Sequence, residues 1–288
     1  MKKISLQLLS LLFITFFTTN CSDNDTTNDS NINNEPLAYE ELLNVSYGND
    51  SSQVYDIYLP ENRTLDTKVL ILVHGGGWTS GDKLDMNDIK NIARQDLPDY
   101  AVVNINYRLA SQGVSPFPMQ LNDITAVIEH LKTNQEAYVL SNNYGFIGTS
   151  AGAHLSMLWT YAYDTFDDVN MVASIVGPTN LGDPAYTNNP QLPINQLMLF
   201  FGVTPSTQFL ETYSPYHQVT ATSAPTILFY GGMDPLIPNS QGIDMDAKLT
   251  TLGVTHQFTF YPNEGHGWVG ANLLDTWTKL KAFVELHH

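Results

Sequence analysis

One cysteine, Cys21, stands in 288 residues, so no disulfide forms within the chain. Basic residues are scarce as well, 12 Lys and Arg against 29 Asp and Glu, for a formal net charge of −17. Nucleic acid is a poor partner for such a surface, because phosphate contacts need clustered Lys and Arg. No His and Cys spacing suits zinc, no Rossmann glycine pattern occurs, and no phosphate loop carries a lysine, so no metal or organic cofactor is implied. No internal repeat is visible. No apolar run has the length and continuity of a membrane-spanning helix. What is present is core material. Hydrophobic residues make up 43% of the chain, with 13 Phe and 15 Tyr, ample for one large core and one domain of α/β size.

The amino-terminal stretch is different in kind. MKK, a short apolar segment ending at Asn20, and then Cys21 read as a secretory signal, with residues 1–20 removed. A sole cysteine just past such a segment resembles the lipid-acceptor cysteine of bacterial lipoproteins, although Thr18-Thr19-Asn20 departs from their usual pattern. The resemblance implies export and a lipid anchor at Cys21, holding the protein to the outer membrane or cell surface. An ordinary periplasmic or secreted protein is the alternative. Residues 21–37 are polar and cannot bury enough surface to order themselves, so they read as a disordered tether.

From residue 38 to 288 apolar runs alternate with longer amphipathic segments. VSYG (45–48) and QVYDIYLP (53–60) look like an opening antiparallel pair. KVLILVHGG (68–76) is almost unbroken, as expected of a strand buried on both faces. Five further strands are expected in 100–109, 144–148, 171–177, 226–232 and 256–262. Helices are expected over MQLNDITAVIEHLKTN (119–134), from Ser150 onward, and over LLDTWTKLKAFVEL (273–286). Strands alternating with helices imply an α/β fold with a mostly parallel central sheet. The interval 178–224 lacks a clear strand and reads as an insertion or lid. Its Tyr186, Leu192, Leu197, Phe200 and Phe201 either line a pocket or belong to the core, the core being favoured.

Four pieces carry chemistry. In GFIGTSAGAHLS (145–156) a serine sits where a strand hands over to a helix, between Gly148 and Gly152. Such a turn holds the Ser150 hydroxyl out from the sheet and needs small residues two before and two after it. The helix that follows favours developing negative charge at its start. In HGGGW (74–78), successive glycines present bare amides, and the N–H groups of Gly76, Gly77 and Ala151 are the expected oxyanion donors. His74 reads as a structural anchor of that loop.

The third piece is the base. His266, in NEGHGW (263–268), stands in a glycine-flanked loop at a strand's carboxyl end. The other histidines are less suited: His130 and His154 lie in helices, His256 opens a strand, His217 lies in the lid, and His287 and His288 sit at a terminus expected to fray. The fourth piece is Asp234, in LFYGGMDPLIP (228–238), placed to accept the imidazole N–H and fix its tautomer. Asp244, Asp246 and Glu264 are its rivals, by helix position for the first two and by closeness to His266 for the third.

The order Ser150, Asp234, His266 is that of the α/β-hydrolases. The domain resembles their esterase/lipase group with an HGGG-type oxyanion loop, near hormone-sensitive lipase and bacterial acetyl and feruloyl esterases. NYRLA (106–110), FPMQLND (117–123) and YSPYHQV (213–219) resemble lesser motifs of that group, and Arg108 and Asp123 are expected to pair structurally. The resemblance implies an α/β-hydrolase fold with a short lid, and a serine carboxylesterase acting through an acyl-enzyme. The implied substrates are short-chain or aromatic acyl esters, with acetyl or feruloyl groups on polysaccharides as candidates. Tryptophan after the glycines is also similar to the arylformamidase branch, so an amide hydrolase is one alternative. A hydrolase-fold binding protein without turnover is another.

Overall fold

The computed structural model of the chain describes residues 36–191 and 193–288. The expected signal segment (1–20), the expected lipid anchor Cys21, the expected tether up to Glu35, and Leu192 lie outside the described residues. Strands β1 (Glu40–Ser46), β2 (Val54–Leu59), β3 (Val69–Val73), β4 (Ala101–Ile105), β5 (Tyr144–Thr149), β6 (Val169–Ile175), β7 (Thr226–Gly231) and β8 (His256–Tyr261) form one sheet in the order β1-β2-β4-β3-β5-β6-β7-β8. The pairs β1–β2 and β2–β4 are antiparallel and the rest are parallel.

The period of two along β3 shows why its run is unbroken. Val69, Ile71 and Val73 enter one core and Leu70 and Leu72 the other, each fully buried. The first core is closed by α2 (Met119–Thr133), α3 (Gln135–Tyr138), α4 (Ala151–Ala162) and α9 (Asn239–Leu252). The second is closed by α1 (Asn87–Asp96) and α10 (Ala271–His287). Strand β1 lies at an edge and is bulged between Leu42 and Val45, which discourages pairing with another chain.

Among the described residues of 178–224 there is no strand but four short helices, α5 (Pro184–Thr187), α6 (Ile194–Phe200), α7 (Thr207–Thr212) and α8 (Pro215–Gln218). The expected pairing of Arg108 with Asp123 is present. Asp123 is fully buried and accepts from the Arg108 guanidinium at 2.6 Å, from the Arg108 amide at 2.8 Å and from Gln53 at 2.8 Å. One expectation is corrected. His288 does not fray: it is 3% exposed and its Nε2 donates to the Val69 carbonyl at 3.0 Å. Burial there pushes the imidazole pKa down to about 4.

The topology fixes where a site can form. From β3 the chain moves outward to β4, then crosses back to β5 on the other side of β3. The crevice above the carboxyl ends of β3 and β5 is therefore the topological switch point, the usual ligand position in open α/β sheets. Val73 and Gly148 are paired there, so the HGGGW loop and Ser150 emerge side by side.

Candidate active site

Ser150 occupies the turn between β5 and α4 with φ 51° and ψ −121°. A non-glycine residue held there costs roughly 1–3 kcal/mol, and it persists because its surroundings over-determine it. Its amide donates to the Ile175 carbonyl at 2.8 Å, and its carbonyl accepts from His154 at 3.1 Å. The flanking glycines are demanded by contact. A Cβ at Gly152 would lie 2.2 Å from the Val73 carbonyl oxygen, and one at Gly148 would lie 2.6 Å from Ala153 Cα.

The Ser150 hydroxyl meets His266 Nε2 at 3.0 Å. On the far side of the ring, Nδ1–H donates to Asp234 Oδ2 at 2.7 Å. Asp234 is 1% exposed at its side chain, and its other oxygen accepts from the amides of Leu236 at 2.8 Å and Ile237 at 3.0 Å. The carboxylate is thereby fixed in position, and it fixes the tautomer that leaves Nε2 free to accept the serine proton. The three rivals have other settings: Asp244 is exposed on α9, Asp246 pairs with His256 at 3.1 Å, and Glu264 accepts from Asn272 at 2.6 Å.

The loop after β3 borders the same cleft. The amides of Gly76, Gly77 and Ala151 have no backbone acceptor among the described residues. Gly76 and Gly77 take φ values of 110° and 57°, open to glycine. His74 anchors this loop as expected. Its Nδ1–H donates to the Gly75 carbonyl at 2.7 Å, its ring stacks on Tyr107 with centroids 4.3 Å apart, and burial lowers its pKa. The Tyr107 hydroxyl in turn donates to the His74 carbonyl at 2.8 Å.

A second histidine supports the loop from below, and the sequence alone did not mark it. His154 is fully buried in α4, donates from Nε2 to the Tyr213 carbonyl of the lid at 2.8 Å, and faces the Trp78 indole N–H with Nδ1. Burial pushes its pKa down to about 4.

Two cavities meet at Ser150. A cleft of about 530 Å³ is bordered by Gly75–Gly77, Ser150, His266, Trp268 and Leu273. A pocket of about 80 Å³ lies between Gly77, Trp78, Ala151, Pro178, Tyr186 and Leu236. Among the lid residues singled out from sequence, Tyr186 is fully buried yet lines this pocket, Phe201 is core, Leu197 is partly buried against the core, and Phe200 is 48% exposed.

Comparison with known proteins agrees with this architecture. The BD-FAE family model matches residues 55–249. Carboxylesterase NlhH of Mycobacterium tuberculosis is 24% identical over 233 residues, covering 76% of this chain and 72% of that protein. A bifunctional GH43-CE structure from Bacteroides eggerthii superimposes with a TM-score of 0.69 at 24% identity, covering 84% of this chain; the match spans 38% of that longer chain. A truncated carbohydrate esterase from gut microbiota superimposes with a TM-score of 0.69 at 20% identity, covering 86% of this chain and 100% of the other.

Proposed function

The chain belongs to the BD-FAE family, and from that premise we propose that it is a serine carboxylic ester hydrolase with Ser150 as nucleophile, His266 as general base and acid, and Asp234 as the group that orients His266. One observation carries this reading: a hydroxyl, an imidazole and a buried carboxylate in continuous hydrogen-bond contact, at 3.0 and 2.7 Å, beside unspent amides. The carboxylesterase relative supports the same reaction class.

In this reading Ser150 Oγ attacks the ester carbonyl as His266 Nε2 takes its proton. The oxyanion accepts from the amides of Gly76, Gly77 and Ala151, assisted by the amino-terminal end of α4. Collapse expels the alcohol, which takes its proton from His266. Water then attacks the acyl-enzyme with His266 again as base, releasing the acid and restoring the hydroxyl.

The two cavities support a placement of the two halves of the substrate. The leaving oxygen must reach His266, and His266 borders the wide cleft but not the small pocket. The alcohol therefore occupies the cleft and the acyl group the pocket. At about 80 Å³ the pocket falls far below the roughly 300 Å³ at which drug-sized ligands begin to be enclosed. A short acyl group such as acetyl fits this space, and a feruloyl group exceeds it. Acylated polysaccharides are a candidate source of such esters, supported by the carbohydrate-esterase neighbours. Export and lipid attachment at Cys21 complete the proposal and rest on the amino-terminal sequence alone.

A fluorophosphonate probe tests the assignment directly. Labelling is expected at Ser150 and is expected to vanish in Ser150→Ala, together with a loss of about 10⁴-fold or more in turnover of a nitrophenyl acetate. A Ser150→Ala variant that kept its label or its turnover would overturn it.

A further inference from the structure

The wide cleft does not end at the catalytic residues. It opens into a groove of about 280 Å³ between α1 and α10, and the two spaces share Ile89, Ile175, Leu273 and Thr276 as common walls. Beyond those walls the groove runs along Ile92, Leu274 and Trp277.

The groove offers an incoming molecule almost nothing to hydrogen-bond. The Trp277 indole N–H is spent on Asp96 at 2.7 Å. Thr276 Oγ1 donates to the Asn272 carbonyl and accepts from the Trp268 indole, both at 2.8 Å. The one charged wall residue, Asp88, is solvent-exposed. Apolar side chains are nevertheless bared at its rim, Leu273 at 50% and Leu274 at 66% exposure, both in the first turn of α10. A contiguous apolar surface rimming a site is characteristic of a binding surface. Here the continuity with the cleft identifies what covers it.

We propose that the groove between α1 and α10 is an alcohol-side subsite that receives an alkyl or aryl group carried on the leaving alcohol. The inference rests on the esterase reading, and it refines the substrate: the preferred ester joins a short acyl group to an alcohol with an apolar extension, which ranks above the plain acylated polysaccharides named as a candidate source. His266 borders the cleft that the groove prolongs, so the group that departs through His266 is the one guided into it.

A series of n-alkyl acetates from ethyl to octyl tests this, because the acyl group and the intrinsic reactivity stay nearly constant. For the full chain, kcat/KM is expected to climb with length, by up to about fourfold per buried methylene. In the Leu273→Ser, Leu274→Ser double variant the climb is expected to flatten. Both residues are exposed, and an unchanged Tm is the accompanying check on folding. A flat series in the unaltered protein, or an undiminished climb in the double variant, overturns the subsite while leaving the esterase reading intact, provided Ser150 is still labelled. Absence of both labelling and turnover overturns the two together. A flat series from a protein that sediments as a dimer, and as a monomer once both leucines are replaced, assigns the groove to a second copy and also overturns the proposal.

Discussion

The indole N–H of Trp78 is aimed at His154 Nδ1 across 3.4 Å, while the opposite nitrogen of that ring donates to the Tyr213 carbonyl at 2.8 Å. One buried imidazole thus joins the HGGGW loop, the helix that begins beside Ser150, and the 178–224 segment. Trp78 itself has φ 65°, unusual for an aromatic residue, and its carbonyl accepts from Ala110 and Gln120 at 2.8 Å. It directly follows Gly77, so whatever fixes Trp78 also fixes the amides placed around Ser150.

Replacing His154 with Phe keeps the ring and removes both polar contacts. The Tyr213 carbonyl and the Trp78 N–H are then left without this partner. Each costs about 1–3 kcal/mol if unsatisfied in the interior. The expected result is a lower Tm together with a fall in kcat larger than any rise in KM, because in the proposed mechanism the loop contributes more to the oxyanion than to the ground-state ester. Full steady-state kinetics beside thermal denaturation check this. A variant that loses stability but keeps its kcat would show that His154 has no part in shaping the loop.

The same ring sets an acid limit on stability. Burial holds the His154 pKa at about 4, below the ordinary 6.5. Between those values the unfolded chain binds the proton and the folded one does not, so folding loses free energy as pH falls. The stabilising effect is complete above pH 6.5 and disappears as pH approaches 4. The slope is at most about 1.4 kcal/mol per pH unit for one group, or on the order of 3 kcal/mol across the window. His288, also held at about 4 by burial, acts in the same direction. Urea denaturation at pH 7.5 and pH 5 measures it. The stability gap between the unaltered protein and His154→Phe is expected to narrow at the lower pH, and a gap that stays constant would contradict a neutral buried ring.

The elements that carry the candidate chemistry were legible in the sequence because local demands set them. Strand β3 is a run of Val, Leu and Ile buried on both faces, and Gly148 and Gly152 flank Ser150 because neighbouring backbone leaves no room for a Cβ. What was not legible depends on partners distant in the chain. Helix α1 has only Ile89, Ile92 and Ala93 as apolar residues on its inner face and buries only Ala93 fully, and nothing local says that Ile89 and Ile92 stay partly open as cleft and groove walls. The lid helices α5 to α8 run four to seven residues, too short for a helical period to register. A histidine in a helix reads alike whether it faces water or core, so local sequence does not set His154 apart. His288 is buried and bonded to the Val69 carbonyl, far away in sequence.

Asp234→Asn tests the orienting carboxylate apart from the nucleophile. An amide retains the shape and an oxygen for the amides of Leu236 and Ile237, which presently bond the carboxylate at 2.8 and 3.0 Å. It can also present N–H to His266 Nδ1 and thereby favour the wrong tautomer. A loss of about 10⁴-fold in kcat is expected, with KM and Tm little changed. Loss by less than about tenfold would mean that the His266 tautomer is held by something other than Asp234.

Tyr186 walls the small pocket proposed to take the acyl group. It is fully buried, it closes the space beside Ser150, and its hydroxyl has no hydrogen-bond partner among the described residues. Tyr186→Ala removes that wall, so nitrophenyl butyrate and hexanoate are expected to gain on the acetate. Room for two further methylenes, at about 0.8 kcal/mol each, corresponds to roughly a tenfold shift in relative kcat/KM. The same truncation of a buried aromatic side chain is expected to cost about 3–5 kcal/mol in stability, so assays belong well below the lowered Tm. Tyr186→Phe separates wall from hydroxyl: removing an unpartnered buried oxygen is expected to leave Tm equal or higher and the chain-length profile unaltered. If the alanine variant, while remaining folded, showed the same chain-length profile as the unaltered protein, the limit on acyl length would lie with Leu236 or Trp78 instead.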